Sequence, residues 1–248
     1  MSKTVLITGG SRGIGAATAL MTASQGYAVA VNFASNSLAA DEVVRQIRAG
    51  GGQAITVQAD VASEREVIAM FEKIDARFGR LTALVNNAGV VDYTTRVDAN
   101  TLDRLQRMFA INVFGSFLCA RQAVLRMSTR YGGAGGSIVN VSSAASRLGS
   151  PGQYVDYAAA KGAIDSFTLG LAKEVASEGI RVNAVRPGII ETEIHASGGL
   201  PDRARESAPM VPMQRPGTAA EVAEAIMWLL SGQSSYATGA LLDIAGGR

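Results

Sequence analysis

A doubly wound α/β fold, one seven-stranded parallel sheet with helices on both faces, is what this sequence predicts. Three observations carry it: seven short β-rich runs lie along the chain, longer amphipathic segments alternate with them, and a glycine-rich turn follows the first run. Parallel neighbours need crossover connections, and helical crossovers cover both faces of the sheet. No repeat of fixed period and no linker rich in proline, serine or charge divides the 248 residues, so 1–248 reads as a single domain.

Taken in order, "TVLIT" (4–8) is the first strand, and "TGGSRGIG" (8–15) turns out of it into a helix. Glycines there let the backbone turn tightly and approach a phosphate, which the following helix meets with free N–H groups and its positive dipole end. "AVAVNF" (28–33) and "AITVQ" (54–58) are the next strands, separated by the amphipathic "LAADEVVRQIRA". "EREVIAMFEKIDARF" then leads to "ALVN" (83–86). "GGAGGS" (132–137) reads as a surface turn feeding "SIVNVS" (137–142), and "RVNAV" (181–185) and "ALLDI" (240–244) complete the sheet. Between the last two strands, residues 191–217 lose helical periodicity to proline and glycine, as a substrate loop or lid does. Open α/β sheets bind ligands beyond the carboxyl ends of their strands, and the glycine turn and this loop both fall there.

Composition excludes several chemistries. With 23 basic and 21 acidic residues the net charge is +2, and no basic stripe interleaved with aromatics suggests nucleic acid. One histidine (His195) and one cysteine (Cys119) make no zinc site of the usual ligand types, so no metal is expected. Cys119 reads as a small core residue of a reducing cytoplasm. No signal peptide and no apolar run of transmembrane length are seen, so a cytoplasmic protein away from membranes is expected. The glycine turn is not a P-loop, because Ala16 and Ala17 stand where Lys and Ser/Thr would be needed. It formally matches a nucleophile elbow at Ser11, with His195 as base, but such elbows follow later strands than the first.

The stretch "QYVDYAAAKGA" (153–163) holds two tyrosines and a lysine. On a helix, Tyr157 and Lys161 share a face one turn apart, whereas about 10 Å of rise separates Tyr154 from Lys161. Bringing a phenol from pKa about 10 to about 7 needs roughly 4 kcal/mol of preferential anion stabilisation, part of which a fixed ammonium could supply. The plain alternative is a buried tyrosine beside a lysine that reaches solvent.

Together, "TGGSRGIG", "NNAG" (86–89), "VSS", "YAAAK" and "RPG", in that order after successive strands, resemble the short-chain dehydrogenase/reductase family over essentially the whole chain. The nearest likeness is to its 3-oxoacyl-carrier-protein reductase and glucose dehydrogenase-like branch. The resemblance implies a Rossmann fold and hydride transfer between a nicotinamide and a small carbonyl or alcohol substrate. It makes Tyr157 the general acid/base and Lys161 the residue that lowers the phenol's pKa and holds the nicotinamide ribose. The serine that binds the substrate oxygen usually lies 13 positions before the tyrosine, where this chain has Ala144. One extra residue in "YVDY" assigns the role to Ser143, with Ser142 as the alternative. Asn112 in "FAINVFG" matches an asparagine held to support a water chain to the lysine, though a helical asparagine can equally mark a local bend.

For the cofactor, the resemblance points to Gly9, Ser11, Arg12, Gly13, Ile14 and Gly15 in the turn and to Asn32 and Ser35 at the end of the second strand. It adds Asp60 and Val61 at the adenine, Asn86, Ala88 and Gly89 behind the cofactor, and Pro187, Gly188 and Thr192 at the nicotinamide. NAD binders usually carry an acid at the end of the second strand. Here Phe33 stands there among Asn32, Ala34 and Ser35, and Arg12 is placed to meet a 2′-phosphate, so NADP(H) is expected. Arg126, Arg130 and Arg147 are candidates for a basic patch that an acyl-carrier protein would need. The family also implies a homotetramer. A reading of another class is a dinucleotide-binding regulatory or scaffold protein without turnover; its relatives typically lose the tyrosine or lysine, and both are present here.

Overall fold

The computed structural model describes residues 3–193, Gly199 and 202–248, the side chain of Arg203 excepted. In chain order the main strands are β1 (Lys3–Ile7), β2 (Tyr27–Phe33), β3 (Ala54–Gln58), β4 (Ala83–Asn86), β5 (Gly136–Val141) and β6 (Ile180–Pro187). Two short strands follow, β7 (Ile190–Glu191) and β8 (Gly217–Thr218), and then β9 (Leu241–Ile244). The seven-stranded sheet has the order β3-β2-β1-β4-β5-β6-β9 and is parallel throughout. It is the sheet expected from the sequence. The largest difference in bounds is β6, which continues past Val185 because Arg186 and Pro187 keep register with Asp243 and Ile244 of β9.

Side chains that alternate along each strand build two cores. On one face Val5, Ile7, Val29 and Val31 pack against helices α1 (Gly13–Ser24) and α2 (Ser37–Ala49) and the last helix, Ala219–Leu230. On the other, Leu6, Leu84, Ile138 and Val182 meet α3 (Glu64–Phe78), the helix running Leu102–Met127, and α7 (Val155–Val175), which follows the short α6 (Ala145–Leu148). Burial on both faces is why these strands are apolar runs rather than alternating ones. Cys119 lies in the second core, fully buried, and burial pushes its thiol up to about 12, as suits an inert packing residue.

The helix Leu102–Met127 comprises α4 (Leu102–Phe109), a π-helical segment (Ala110–Phe114) and α5 (Gly115–Met127). Its 26 residues are long and apolar enough to cross a membrane by length and composition alone, so the expectation that no apolar run reaches that length is corrected. Half of its apolar window is buried inside the fold, where Cys119, Ala120, Ala123 and Met127 pack with Leu84 and Ile138.

The loop expected at 191–217 is closed at its base. β7 and β8 pair in parallel, Ile190 with Gly217 and Glu191 with Thr218. Inside it are a short helix, Arg203–Glu206, and a 3₁₀ turn, Ala208–Met210.

Candidate functional site

The strand order reverses between β1 and β4, the position at which open α/β sheets leave a crevice at their carboxyl ends. The glycine turn after β1 and the "NNAG" segment after β4 meet there. Thr8 Oγ1 accepts from the N–H groups of Asn87 and Ala88 at 2.9 and 3.0 Å. Asn87 Nδ2 donates back to the carbonyls of Thr8 and Gly9 at 2.8 and 3.0 Å. The turn itself tolerates only glycine in places: Gly9 has φ +59°, and a Cβ on Gly15 would come within 2.3 Å of the Gly9 carbonyl oxygen.

What the turn presents is an open helix end. α2, α3 and α4 are each capped by a side chain, from Asn36, Ser63 and Thr101. α1 is preceded by Arg12, which makes no side-chain cap, and carries no acid in its first turn. Its leading N–H groups and positive dipole end are therefore available to an anion. These features fit the pyrophosphate of a dinucleotide.

Beyond the turn lies a cavity of about 550 Å³, lined among others by Ile14, Asn87, Gly89, Ser143, Tyr154, Tyr157, Lys161, Pro187, Gly188 and Thr192. A broader hollow of about 730 Å³ lies at the amino ends of the strands, beside Lys3, Tyr27 and Arg181, and contains none of the residues singled out from the sequence. Only the first is at the end where such sheets bind ligands.

Three side chains converge in the cavity. Ser143 lies beside the Tyr157 phenol and favours its anion. Lys161 Nζ lies 5.6 Å from the centre of the Tyr157 ring and donates to the Val141 carbonyl at 2.7 Å. The lysine does not reach solvent, since it is only 5% exposed. Ser142 points inward, donating to Asp165 Oδ1 at 2.6 Å, and Ser143 is the serine turned toward the tyrosine. The electrostatics differ from expectation. Burial pushes the Tyr157 phenol up to about 12, with Ser143 pulling the other way, and burial pulls Lys161 down to about 8 against the attraction of Asp165. The phenol is thus raised rather than lowered, because desolvation of the anion outweighs the favourable contact with Ser143.

Asn112 sits in the π-helical segment, a local widening often found at functional sites. Its Oδ1 accepts from Val90 N at 3.2 Å and its Nδ2 donates to the Val90 carbonyl at 3.0 Å. A Cβ on Gly89 would meet Asn112 Oδ1 at 2.7 Å and Lys161 Nζ at 3.5 Å, so the amide and the ammonium converge on that glycine. Thr192 packs against Gly13, 3.3 Å from where its Cβ would be, tying the start of the loop to the glycine turn.

Other residues serve the scaffold. Asn86 is buried and donates to Asn140 Oδ1 and the Ser116 carbonyl, while Asn87, its neighbour, faces the cavity. Strand alternation separates the two, a distinction the letters "NN" do not carry. Asn32, also buried, accepts from Gly9 N at 3.1 Å and donates to the carbonyls of Val57 and Ala59, bracing the turn from behind. Val61 is buried against Gly115. Asp60 is exposed, its Oδ1 accepting from Ala62 N at 2.9 Å in a turn.

Arg12, Ser35 and Asp60 follow β1, β2 and β3 in an exposed row, and Arg12 lies 3.8 Å from Glu193. Arg126 pairs with Asp75 at 2.7 Å and Arg147 with Asp243 at 3.3 Å. His195 lies outside the described residues.

The enoyl-(acyl carrier protein) reductase family profile matches residues 9–248. The chain belongs to the short-chain dehydrogenase/reductase family. It is 57% identical to the oxidoreductase YgfF of Escherichia coli K12, over 98% of each chain. It is 40% identical to a Synechocystis 3-oxoacyl-[acyl-carrier-protein] reductase over 99% of this chain and 96% of that one. Glucose 1-dehydrogenase 2 of Bacillus subtilis is 36% identical over 99% and 94%. Among solved structures, a Serratia marcescens short-chain dehydrogenase/reductase double mutant superposes with a TM-score of 0.90 at 33% identity, covering 99% of this chain and 97% of its own. Membership makes the chain an oxidoreductase with the Rossmann-like sheet described above.

Proposed function

We propose that the protein is an NADP(H)-dependent oxidoreductase that interconverts a small carbonyl compound and its alcohol, with Tyr157 as general acid/base. The observation that carries this is the convergence of Tyr157, Ser143 and Lys161 in one cavity beside an uncapped helix N-terminus. A bound nicotinamide dinucleotide supplies or accepts the hydride. Gly9, Ser11, Gly13, Ile14 and Gly15 hold its pyrophosphate, Ala88 and Gly89 back it, and Pro187, Gly188 and Thr192 border its reactive end. Ser143 donates to the substrate oxygen. Tyr157 gives that oxygen its proton in reduction and takes it back in oxidation. Lys161 holds the ribose, and Asn112 fixes the segment on which it rests.

A phenol raised to about 12 is protonated at neutral pH, so it stands ready to donate its proton in the reductive direction. The NADP(H) preference rests on charge: no carboxylate occupies 33–36, and Arg12 is exposed beside that row. Residues 1–248 act as one domain with 191–217 as the substrate lid. Exposed Phe114, Phe117, Leu125 and Leu169 on the helix Leu102–Met127 and on α7 support a homotetramer.

The test follows NADPH consumption with wild type and Tyr157→Phe across ketones, aldehydes, 3-oxoacyl thioesters and sugar lactones. Turnover that falls at least a hundredfold in the variant, with NADPH affinity kept, supports the reading. Tight NADPH binding without turnover on any of them favours a cofactor-sensing protein.

A further inference from the structure

Behind the cavity the structure holds a run of charges that the chemistry above does not use. Asp165 lies one helical turn beyond Lys161 on the same face of α7. Its Oδ1 accepts from Ser142 Oγ at 2.6 Å, and its Oδ2 accepts from Arg186 Nε at 3.0 Å. Both partners are largely enclosed, with side chains 14% and 11% exposed for Arg186 and Asp165. Arg186 Nη1 is 3.7 Å from Asp243, which pairs in turn with Arg147 at 3.3 Å on the short helix after Ser143. The signs alternate from Lys161 through Asp165, Arg186 and Asp243 to Arg147, running from the cavity floor to the surface.

We propose that Asp165 and Arg186 are positioning residues that set the protonation of Lys161, Asp165 holding the proton on the lysine and Arg186 tempering that hold. The inference rests on the reading that Lys161 serves the cavity.

The groups around the lysine leave Asp165 without a rival. From α7 itself come Tyr157 and Asp165; from β5 and the residue after it, the Val141 carbonyl and Ser142; from the segment after β4, Gly89; and from the π-helical segment, the neutral Asn112. Arg186 of β6 reaches the lysine's surroundings through Asp165. Asp165 is the one acid among them. A salt bridge kept only for packing gains little once desolvation is counted. This one is set where its acid acts on a buried ammonium already pulled down to about 8. Removing the acid favours the neutral amine, and removing the guanidinium, a cation farther out, favours the ammonium.

The opposed signs make the test. In the full chain labelled with ¹³C-lysine there are four lysines, Lys3, Lys73, Lys161 and Lys173, and the Lys161 signal is the one lost in Lys161→Arg. Asp165→Asn is expected to lower its titration midpoint by about one pH unit or more, and Arg186→Gln to raise it. In turnover assays the alkaline limb of kcat/KM moves the same way in each variant. Midpoints unmoved, or moved in one direction by both variants, would overturn the proposal. If Asp165→Asn does not fold, Arg186→Gln decides alone: an upward shift supports it, and no shift or a downward one overturns it. The titration needs no substrate, so opposed shifts in a protein without turnover keep this inference and discard the reductase reading. Turnover abolished by Tyr157→Phe with unmoved midpoints does the reverse.

Discussion

At Tyr157 and Lys161, two residues one turn apart shift in opposite directions toward neutrality, because the same enclosed cavity penalises an anion on one and a cation on the other. The signs give separate pH profiles. In the proposed reaction, reduction needs the protonated phenol, available at all pH below about 12, and a charged Lys161, which is lost as pH rises through about 8. Reductive kcat is therefore expected to be level from about pH 6 to 7.5 and then to fall. Oxidative kcat, which needs phenolate, is expected to climb about tenfold per pH unit over the same range. Parallel profiles in the two directions would contradict the assignment. Arg12 yields a second expectation: Arg12→Gln lowers the kcat/KM ratio of NADPH over NADH by about ten- to hundredfold, measured with one substrate, since a charge-assisted phosphate contact contributes roughly 1.5–3 kcal/mol. The tyrosine, lysine and glycines were legible as letters at fixed spacing. The direction of the phenol's shift was not, because spacing reports a neighbouring charge and says nothing of desolvation.

Among the elements, α7 depends on a contact that local sequence does not announce. Asp156, beside Tyr157 in the first helical turn, is fully buried at its side chain and receives Arg104 Nε at 2.7 Å from α4. The same guanidinium donates to the Tyr93 carbonyl at 2.7 Å, so one arginine joins α4, α7 and the segment after "NNAG". Breaking a buried pair by removing one partner typically costs 3–5 kcal/mol. Asp156→Ala is expected to lose about that much in urea denaturation, and Asp156→Asn less. The helix was readable from its alanines and the Tyr157–Lys161 spacing, whereas its anchor joins positions 52 residues apart and has no periodic trace. The π-helical segment at Asn112 was hidden for a similar reason: its wider turn shows only in the hydrogen bond from Gly115 N back to Ala110.

For the whole molecule, strand order and both cores follow from seven apolar runs and their crossovers, and that level was the most legible. Surface use was less so. Phe117 stacks on Phe167 at 3.8 Å between ring centres yet stays 47% exposed, a large apolar group between the two helices proposed to form an interface. Phe117→Glu is expected to convert the proposed tetramer to smaller species in light scattering, while the circular dichroism of the fold is retained. A wild-type monomer would refute the assembly.

The two-rung pairing of β7 with β8 has an evolutionary meaning. Because Ile190 and Gly217 are held side by side, whatever chain runs between them starts and ends at fixed points. The entropic cost of a longer insert then grows only with the logarithm of its length. With Thr192 kept against Gly13, the rest of the segment would serve as an exchangeable cassette: a relative's residues could be spliced between Thr192 and Gly217 without disturbing the sheet, the glycine turn or Tyr157. Such a chimera should keep NADPH affinity and melting temperature while its substrate preference follows the donor, which would let one scaffold diversify by trading a single stretch of chain.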